Sequence, residues 1–463
     1  MDIQPKSYRD SISTIDKAGK RVWVFPKMPK GAFHNKRLIV TWGLLIFMFV
    51  TPFITVGGQP LFLFNFYERR FNVFGQPFWP QDFYLVALGM MLGVVLIVVF
   101  TVIFGRLFCG WVCPQTIFME MVFRKIEYWI EGDWNKQKRL DRQEWNAEKI
   151  WKKTLKHFIF AIIAFLVGNT ALAWIIGVDK LKVVISEPVS EHVLLFSTII
   201  IFSAIFYWIF AFFREQVCTI ACPYGRLQGV MLDKNSVVIS YDNKRGEERG
   251  KLRKGEERTI GDCIDCKQCV HVCPTGIDIR NGTQLECINC TACIDECDNI
   301  MDMIGKPRGL IRFASENNIE KGEKFQFTPR IWSYIVVLFL MSAGLFSLLL
   351  LRSDIDSTLL RVPGMLFQKT DDGRISNLYD MAFINKTLDT LHIELKAPIE
   401  GSEIEIIGRQ DIFLLPQNKT EAKIFVKIPE DKLDGISTKV SIEIWSKDEK
   451  MSTESTTFLG PAK

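Results

Sequence analysis

The chain has 463 residues, enough for about three domains, and 48% of them are apolar, with 36 Phe and 12 Trp. That composition points to a membrane rather than a single water-soluble core, and a net charge of +5 over this length gives no reason to expect a nucleic-acid partner. All 12 cysteines fall in groups with metal-ligand spacing, which fits a reducing compartment and argues against a disulfide scaffold.

Residues 1–37 are polar, carry nine Lys or Arg and have no secretory cleavage pattern. No charged residue occurs from 38 to 67, so residues 38–58 are long enough to span a bilayer. The run is too long for the apolar core of a signal peptide and no A-x-A site follows, so a retained anchor is expected. Four further uncharged runs, 83–105, 158–178, 193–213 and 331–351, have similar length. Basic residues alternate between the connecting segments: nine before the first span, two after it, eleven in 106–156, two in 179–192, and many again in 214–330. Positive charge gathers on the cytoplasmic side. The expectation is a cytoplasmic N-terminus, five spans, and residues 352–463 outside.

Segment 106–156 places Trp129, Trp134, Trp145 and Trp151 among basic residues, the pattern of helices lying at headgroup level. It opens with Arg106-Leu-Phe-Cys109-Gly-Trp-Val-Cys113-Pro114, and the fourth span is followed by Arg214-Glu-Gln-Val-Cys218-Thr-Ile-Ala-Cys222-Pro223. Cysteines four apart share one face of a helical turn, and the proline behind each pair ends or kinks that helix. Together the pairs offer four soft ligands at the membrane edge, suited to Cu(I), zinc or an iron–sulfur cluster. Inert buried thiols are the plain alternative, but the same spacing recurs at equivalent membrane positions. Met119 and Met121 are read as packing and left out of the site.

Residues 244–258 mix charge and glycine without period and read as a solvated linker. Then come Cys263-Ile-Asp-Cys266-Lys-Gln-Cys269-Val-His-Val-Cys273-Pro and, after twelve more residues, Cys287-Ile-Asn-Cys290-Thr-Ala-Cys293-Ile-Asp-Glu-Cys297. Each half has the C-x2-C-x2-C-x3-C spacing of a two-cluster ferredoxin, in which the fourth cysteine ligates the other cluster. One [4Fe–4S] cluster is therefore assigned to Cys263, Cys266, Cys269 and Cys297, the second to Cys287, Cys290, Cys293 and Cys273. Zinc rarely takes two interlocked runs of this kind. Asp298 stands where such ferredoxins carry proline.

Beyond residue 352 the hydrophobic period changes to two, as in His392-Ile-Glu-Leu-Lys and Lys439-Val-Ser-Ile-Glu-Ile-Trp. About seven strands over roughly 100 residues predict an antiparallel β-sandwich. It holds no cysteine and no His–carboxylate cluster of metal spacing, so a scaffold or partner-contact role is expected. Of the five histidines, His157 and His192 sit at opposite ends of their spans and His271 lies among the cluster cysteines, which speaks against a bis-histidine haem. Neither G-x-G-x-x-G after a strand nor a P-loop occurs, so no nucleotide cofactor is expected.

With these motifs in view the chain resembles the cytochrome c oxidase accessory proteins FixG, CcoG and RdxA, relatives of the NapH and NosR membrane ferredoxins. The resemblance rests on Phe108 through Thr116, Cys218 through Gly225, Ser240-Tyr241-Asp242, Cys273 through Arg280, Glu286-Cys287-Ile288 and Pro307 through Arg312, and it extends over nearly the whole chain. It implies a multi-pass protein of the bacterial inner membrane: a five-helix transmembrane bundle, an inserted two-cluster ferredoxin (α+β) domain and a C-terminal immunoglobulin-like β-sandwich. The implied domains are a cytoplasmic tail (1–37), four spans with both CxxxCP motifs (38–235), linker and ferredoxin domain (236–330), the fifth span (331–351) and a periplasmic domain (352–463). The implied activity is reduction of Cu(II) to Cu(I) for a cbb-type oxidase, copper being held transiently at the catalytic cysteines Cys109, Cys113, Cys218 and Cys222. Implied partners are the lipid bilayer, a cytoplasmic electron donor, and oxidase subunits or copper chaperones. Two other readings compete: a NapH- or NosR-like conduit from quinol to an exported reductase, and a non-enzymatic scaffold for oxidase assembly.

Overall fold

The computed structural model describes residues 14–15, 18–66, 70–251, 260–364, 366–370, 372–387, 389–408 and 411–461. The chain divides into two compact units: Met1–Ile54, Phe62–Glu68 and Val86–Gly344 form one, and Thr55–Leu61, Arg69–Leu85 and Leu345–Lys463 the other.

Five helical segments are long and apolar enough to cross a membrane. They are built on α1 (Ala32–Val50), α2 (Phe83–Phe104), α3 (Ala147–Ile176), α4 (Val193–Trp208, continued by a π-helical turn to Phe213) and, beyond the shorter α5 (Ala292–Met303), α6 (Pro329–Leu350). At most about a third of any span is buried within the chain. Side chains such as Ile39, Met90, Leu194 and Phe339 stand exposed, which is the surface of a membrane protein and not of a soluble one.

Two spans begin earlier than hydropathy predicts. Helix α1 starts at Ala32, not 38, because Asp295 of α5 accepts the backbone N–H groups of Phe33 (3.0 Å) and His34 (2.8 Å), two of the donors a helix start leaves unpaired. Helix α3 starts at Ala147, eleven residues before 158, capped by Asn146. Its charged first turns continue the helix because their ammonium groups are neutralised: Lys153 and Lys156 reach Glu131 at 3.0 and 2.9 Å. At 30 residues and 1.5 Å rise, α3 is about 45 Å long, more than the ~30 Å hydrocarbon core requires.

The ends of α2 and α4 and the starts of α1 and α3 meet on one side, with segment 106–146 and the cysteine-rich region. There Arg214 makes a two-pronged pair with Glu127 (2.8 and 2.9 Å), and Arg124 pairs with Glu120 at 2.7 Å and Glu215 at 3.7 Å. Trp129, Trp145 and Trp151 are exposed, as headgroup anchors would be. Trp134 differs: its ring stacks on His271 at 4.5 Å, so it fastens this segment to the ferredoxin region.

In that region strands β1 (Val238–Tyr241) and β2 (Ile311–Ala314) pair antiparallel, and their buried residues pack with Ile279, Ile288 and Met301. The linker expected over 244–258 is described only to residue 251, and its first part is folded. Residues Asn243–Gly246 form a helical turn, and Arg245 binds Asp262 (2.7 Å) and the Arg308 carbonyl (3.0 Å).

The second unit is a β-sandwich. One sheet runs β7 (Glu403–Ile406), β9 (Lys419–Pro429), β5 (Arg374–Asn385), β3 (Ile355–Arg361), with β4 (Gln368–Lys369) also on β5. The other runs β8 (Ile412–Leu414), β6 (Leu391–Lys396), β10 (Ser437–Ser446), β11 (Glu449–Leu459). Tyr379, Phe383, Val426, Ile442 and Phe458 fill the space between the sheets, the alternation a half-buried strand imposes. Two more strands form than the seven expected. Gln368–Lys369 is too short, and Glu449–Leu459 too polar, to announce itself by hydrophobic period.

Also within this unit, the carboxylate of Asp82 receives Arg352 and Lys386, each at 2.8 Å, and Lys386 reaches Asp356 at 2.5 Å. Asp82 and Lys386 are buried, so removing the carboxylate takes the ion-pair partner from Arg352 and leaves Lys386 with Asp356 alone. Asp82→Asn is expected to cost about 3 kcal/mol or more, read as a lower thermal midpoint of the full-length protein in detergent. An unchanged midpoint contradicts the role.

Candidate metal and electron-transfer site

The two ferredoxin-type loops repeat one backbone. Asp265 and Lys267 in the first, Asn289 and Thr291 in the second, all have positive φ (51°, 57°, 52° and 67°). These are equivalent positions of the C-x-x-C-x-x-C runs, and each loop then enters a helix, Gln268–His271 or α5. Non-glycine residues rarely adopt this conformation; two loops doing so in step turns their sulfurs inward in the same way.

Two cavities of similar size result. One, of about 360 Å³, is lined by Cys263, Cys266, Cys269 and Cys297. The other, of about 330 Å³, is lined by Cys273, Cys287, Cys290 and Cys293, and Cys269 also borders it. Neither lining contains a carboxylate or an imidazole among the described residues, so the donor set is sulfur in apolar walls and fits an iron–sulfur cluster. Burial pushes the thiols of Cys269 and Cys287 up to about 12 and that of Cys290 to about 11. Cys273 accepts hydrogen bonds from the backbone of Thr275, Gly276 and Ile277.

The CxxxCP motifs also share one local plan. A positive-φ residue follows each span, Gly105 (58°) or Arg214 (52°). A short helical turn carries the first cysteine, and the second caps a new helix whose first residue is proline. Cys113 (φ −59°, ψ 123°) and Cys222 (φ −73°, ψ 111°) are therefore extended, as residues before proline must be. The two cysteines of a pair thus do not share one helical face, as expected from their spacing; a turn followed by an extended residue sets their directions.

Electrostatic interactions between thiols link the two motifs. Cys109 senses Cys113 and Cys222, and Cys218 senses Cys113 and Cys109. Burial raises the Cys109 thiol and pushes that of Cys218 to about 12, with Arg106 opposing both. Cys109 is buried and donates to Gln228 Oε1 at 3.1 Å, whereas Cys113, Cys218 and Cys222 keep partial exposure. Gln228 also receives Arg106 Nε at 3.1 Å and donates to Thr101 at 3.2 Å.

The Cys109–Cys113 motif rests directly on the Cys287–Cys293 loop. A Cβ on Gly110 would overlap the carbonyl oxygen of Ile288 and come within 3.1 Å of the Asn289 carbonyl. Trp111 Nε1 donates to Asn289 O at 3.3 Å, and Asn289 Nδ2 donates to Phe104 O at the end of α2, also at 3.3 Å. Sequence reasoning gave Arg106, Gly110, Gln228 and Asn289 no role. Only the glycine within the motif hinted at a close approach.

His157 Nδ1 and the Tyr207 hydroxyl share a hydrogen bond of 2.9 Å. Glu187, Glu191 and His192 bring ligand atoms within 4.8 Å of one another, but both carboxylates are solvent-exposed.

Comparison with known proteins gives three family matches. Residues 213–316 match the model of a 4Fe-4S dicluster domain, residues 86–137 a 4Fe-4S binding domain, and residues 345–461 the IG-like fold at the C-terminus of FixG. Protein RdxA of Cereibacter sphaeroides is 36% identical over 401 residues, covering 82% of this chain and 83% of its own. Protein RdxB of the same organism is 32% identical, covering 93% and 94%. Nitrogen fixation protein FixG of Rhizobium meliloti is 33% identical, covering 89% and 88%. A crystal structure of a FixG-related protein from Vibrio parahaemolyticus aligns at 18% identity and a TM-score of 0.20, over 23% of this chain and 97% of that one.

Gly110→Ala tests the close approach. Overpacking is expected to cost about 1–3 kcal/mol and to increase alkylation of Cys109 in the folded protein, measured by mass spectrometry. Unchanged stability and labelling contradict the contact.

Proposed function

The chain belongs to the family of RdxA, RdxB and FixG and is an iron–sulfur electron-transfer protein of the membrane; from that premise we propose that it reduces Cu(II) to Cu(I) at Cys109, Cys113, Cys218 and Cys222 and so serves assembly of a cbb-type cytochrome c oxidase. The observation that carries the reading is the seating of the Cys109–Cys113 motif on the loop of Cys287, Cys290 and Cys293. Cys263, Cys266, Cys269 and Cys297 would hold one [4Fe–4S] cluster, and Cys273, Cys287, Cys290 and Cys293 the other. When bound, such clusters supply single electrons over a wide range of potentials.

The protein's own groups do the rest. Thiolate ligands favour the soft Cu(I) ion over Cu(II), so the site lowers the free energy of the reduced product. Its half-exposed members, Cys113, Cys218 and Cys222, give the ion a way in, and buried Cys109 holds the inner position. One electron converts one Cu(II) to one Cu(I), with no proton consumed by the metal. The basic segments place the N-terminus, both CxxxCP motifs and the ferredoxin domain in the cytoplasm. A low-potential donor there renews the electrons, and the β-sandwich meets oxidase subunits or copper chaperones outside.

Anaerobic titration of reduced, cluster-loaded protein with Cu(II) tests the reaction. Loss of one reduced-cluster equivalent per Cu(I) trapped by a chelator is expected, and Cys109→Ser or Cys218→Ser is expected to slow it at least tenfold with the cluster spectrum retained. Equal rates in these variants would favour a scaffold, and quinol oxidation without copper would favour the conduit. For the ligand sets, Cys273→Ser and Cys297→Ser are each expected to lower bound iron by about half and to abolish different EPR signals. Loss of the same signal in both contradicts the assignment.

A further inference from the structure

The two cysteine cavities differ in the charge around them. Beside the first lies Arg280, which is neutralised: it binds Asp278 at 2.6 Å and Asp265 at 2.6 Å. Asp298 also acts on Cys297 in that cavity. The other cation on its lining, Lys267, is solvent-exposed, so the buried groups around the first cavity are paired or negative.

Beside the second lie two guanidinium groups of a different kind. Arg106, 3% exposed, gives its hydrogen bonds to neutral acceptors only, Gln228 Oε1 and the Leu285 carbonyl. It shares a small cavity with Cys287. Arg37 of α1, also 3% exposed, has its Nη2 buried with no hydrogen-bond partner, and it acts on Cys290. Neither pairs with a carboxylate among the described residues. Of the other buried cations of this region, Arg124, Arg214 and Lys156 do, while Lys149 donates to the backbone carbonyls of Asp141 and Gln143.

Burying a cation without a counter-anion is costly. Arg106 acts on Cys287, Cys109 and Cys218 and Arg37 on Cys290, while the one carboxylate acting on Cys290, Glu120, is itself paired with Arg124. A negatively charged centre there would supply the missing counter-charge, and positive charge beside an iron–sulfur centre favours its reduced form.

We propose that Arg37 and Arg106 hold the cluster of Cys273, Cys287, Cys290 and Cys293 at a higher reduction potential than its neighbour, so that an electron on the protein rests on the side facing the four thiols. The two arginines are positioning residues for charge. They set the direction of electron flow without touching the reacting ion, and Arg106, facing both centres, also couples them. This inference rests on the ligand sets proposed above but not on copper being the substrate.

EPR-monitored redox titration of the full-length, cluster-loaded protein in detergent tests it without copper. Two one-electron waves are expected, and Cys297→Ser, which keeps only the second cluster, should retain the higher one. Arg106→Gln and Arg37→Gln should each lower the reduced-to-oxidised ratio of that wave about tenfold at fixed potential, a shift of about 60 mV, and Arg106→Lys should restore most of it. The proposal is overturned if Cys297→Ser retains the lower wave, or if the glutamine variants leave the higher wave in place or move the lower one instead. Because Cys297→Ser reports the order of potentials without any arginine change, misfolding of the glutamine variants does not rescue it. A failed copper titration with these shifts intact would sink the copper reading alone.

Discussion

The carbonyl oxygen of Ile288 occupies the space where a side chain on residue 110 would stand. That close approach joins two cysteine systems lying 178 residues apart in the chain, measured from Trp111 to Asn289. Everything proposed about function depends on it, since a four-thiol site away from the ferredoxin loops would be only a metal-binding edge. Asn289 is the hinge of the contact. Its positive φ shapes the cysteine loop, its carbonyl takes the Trp111 indole, and its amide binds the last turn of α2.

Around this junction the chain has neutralised most of its buried charge. Arg124, Arg214, Lys156, Glu127, Glu131 and Glu215 form a connected set of ion pairs where span ends and basic loops meet. Buried pairs of this kind bring little net stability, but breaking one is expensive. They hold the span ends in fixed relation. Against that background the unpaired Arg37 and Arg106 stand out as charges kept for the redox centres.

The sequence made the large features legible because each rests on a local period or spacing. Five uncharged runs, two C-x2-C-x2-C-x3-C loops and the alternating strands near the C-terminus all led to the right class of fold. Helix starts were misread where charge is cancelled by residues distant in sequence, as Lys153 and Lys156 are by Glu131. The geometry of the CxxxCP cysteines was misread because proline acts on the residue before it, drawing Cys113 and Cys222 out of the helix. Arg106, Asn289 and Arg37 were invisible for a simpler reason. Their roles are defined by partners on other elements, and no spacing records those.

The most direct test of the junction is to fill the four-thiol site with paramagnetic Co(II), which forms optically visible thiolate complexes and is not reduced there, and then record the relaxation of the reduced clusters by EPR. The account predicts that the signal lost in Cys273→Ser relaxes markedly faster, while that lost in Cys297→Ser changes less. Thiolate-bound Co(II) that leaves both signals unchanged, or accelerates the second more than the first, would contradict it.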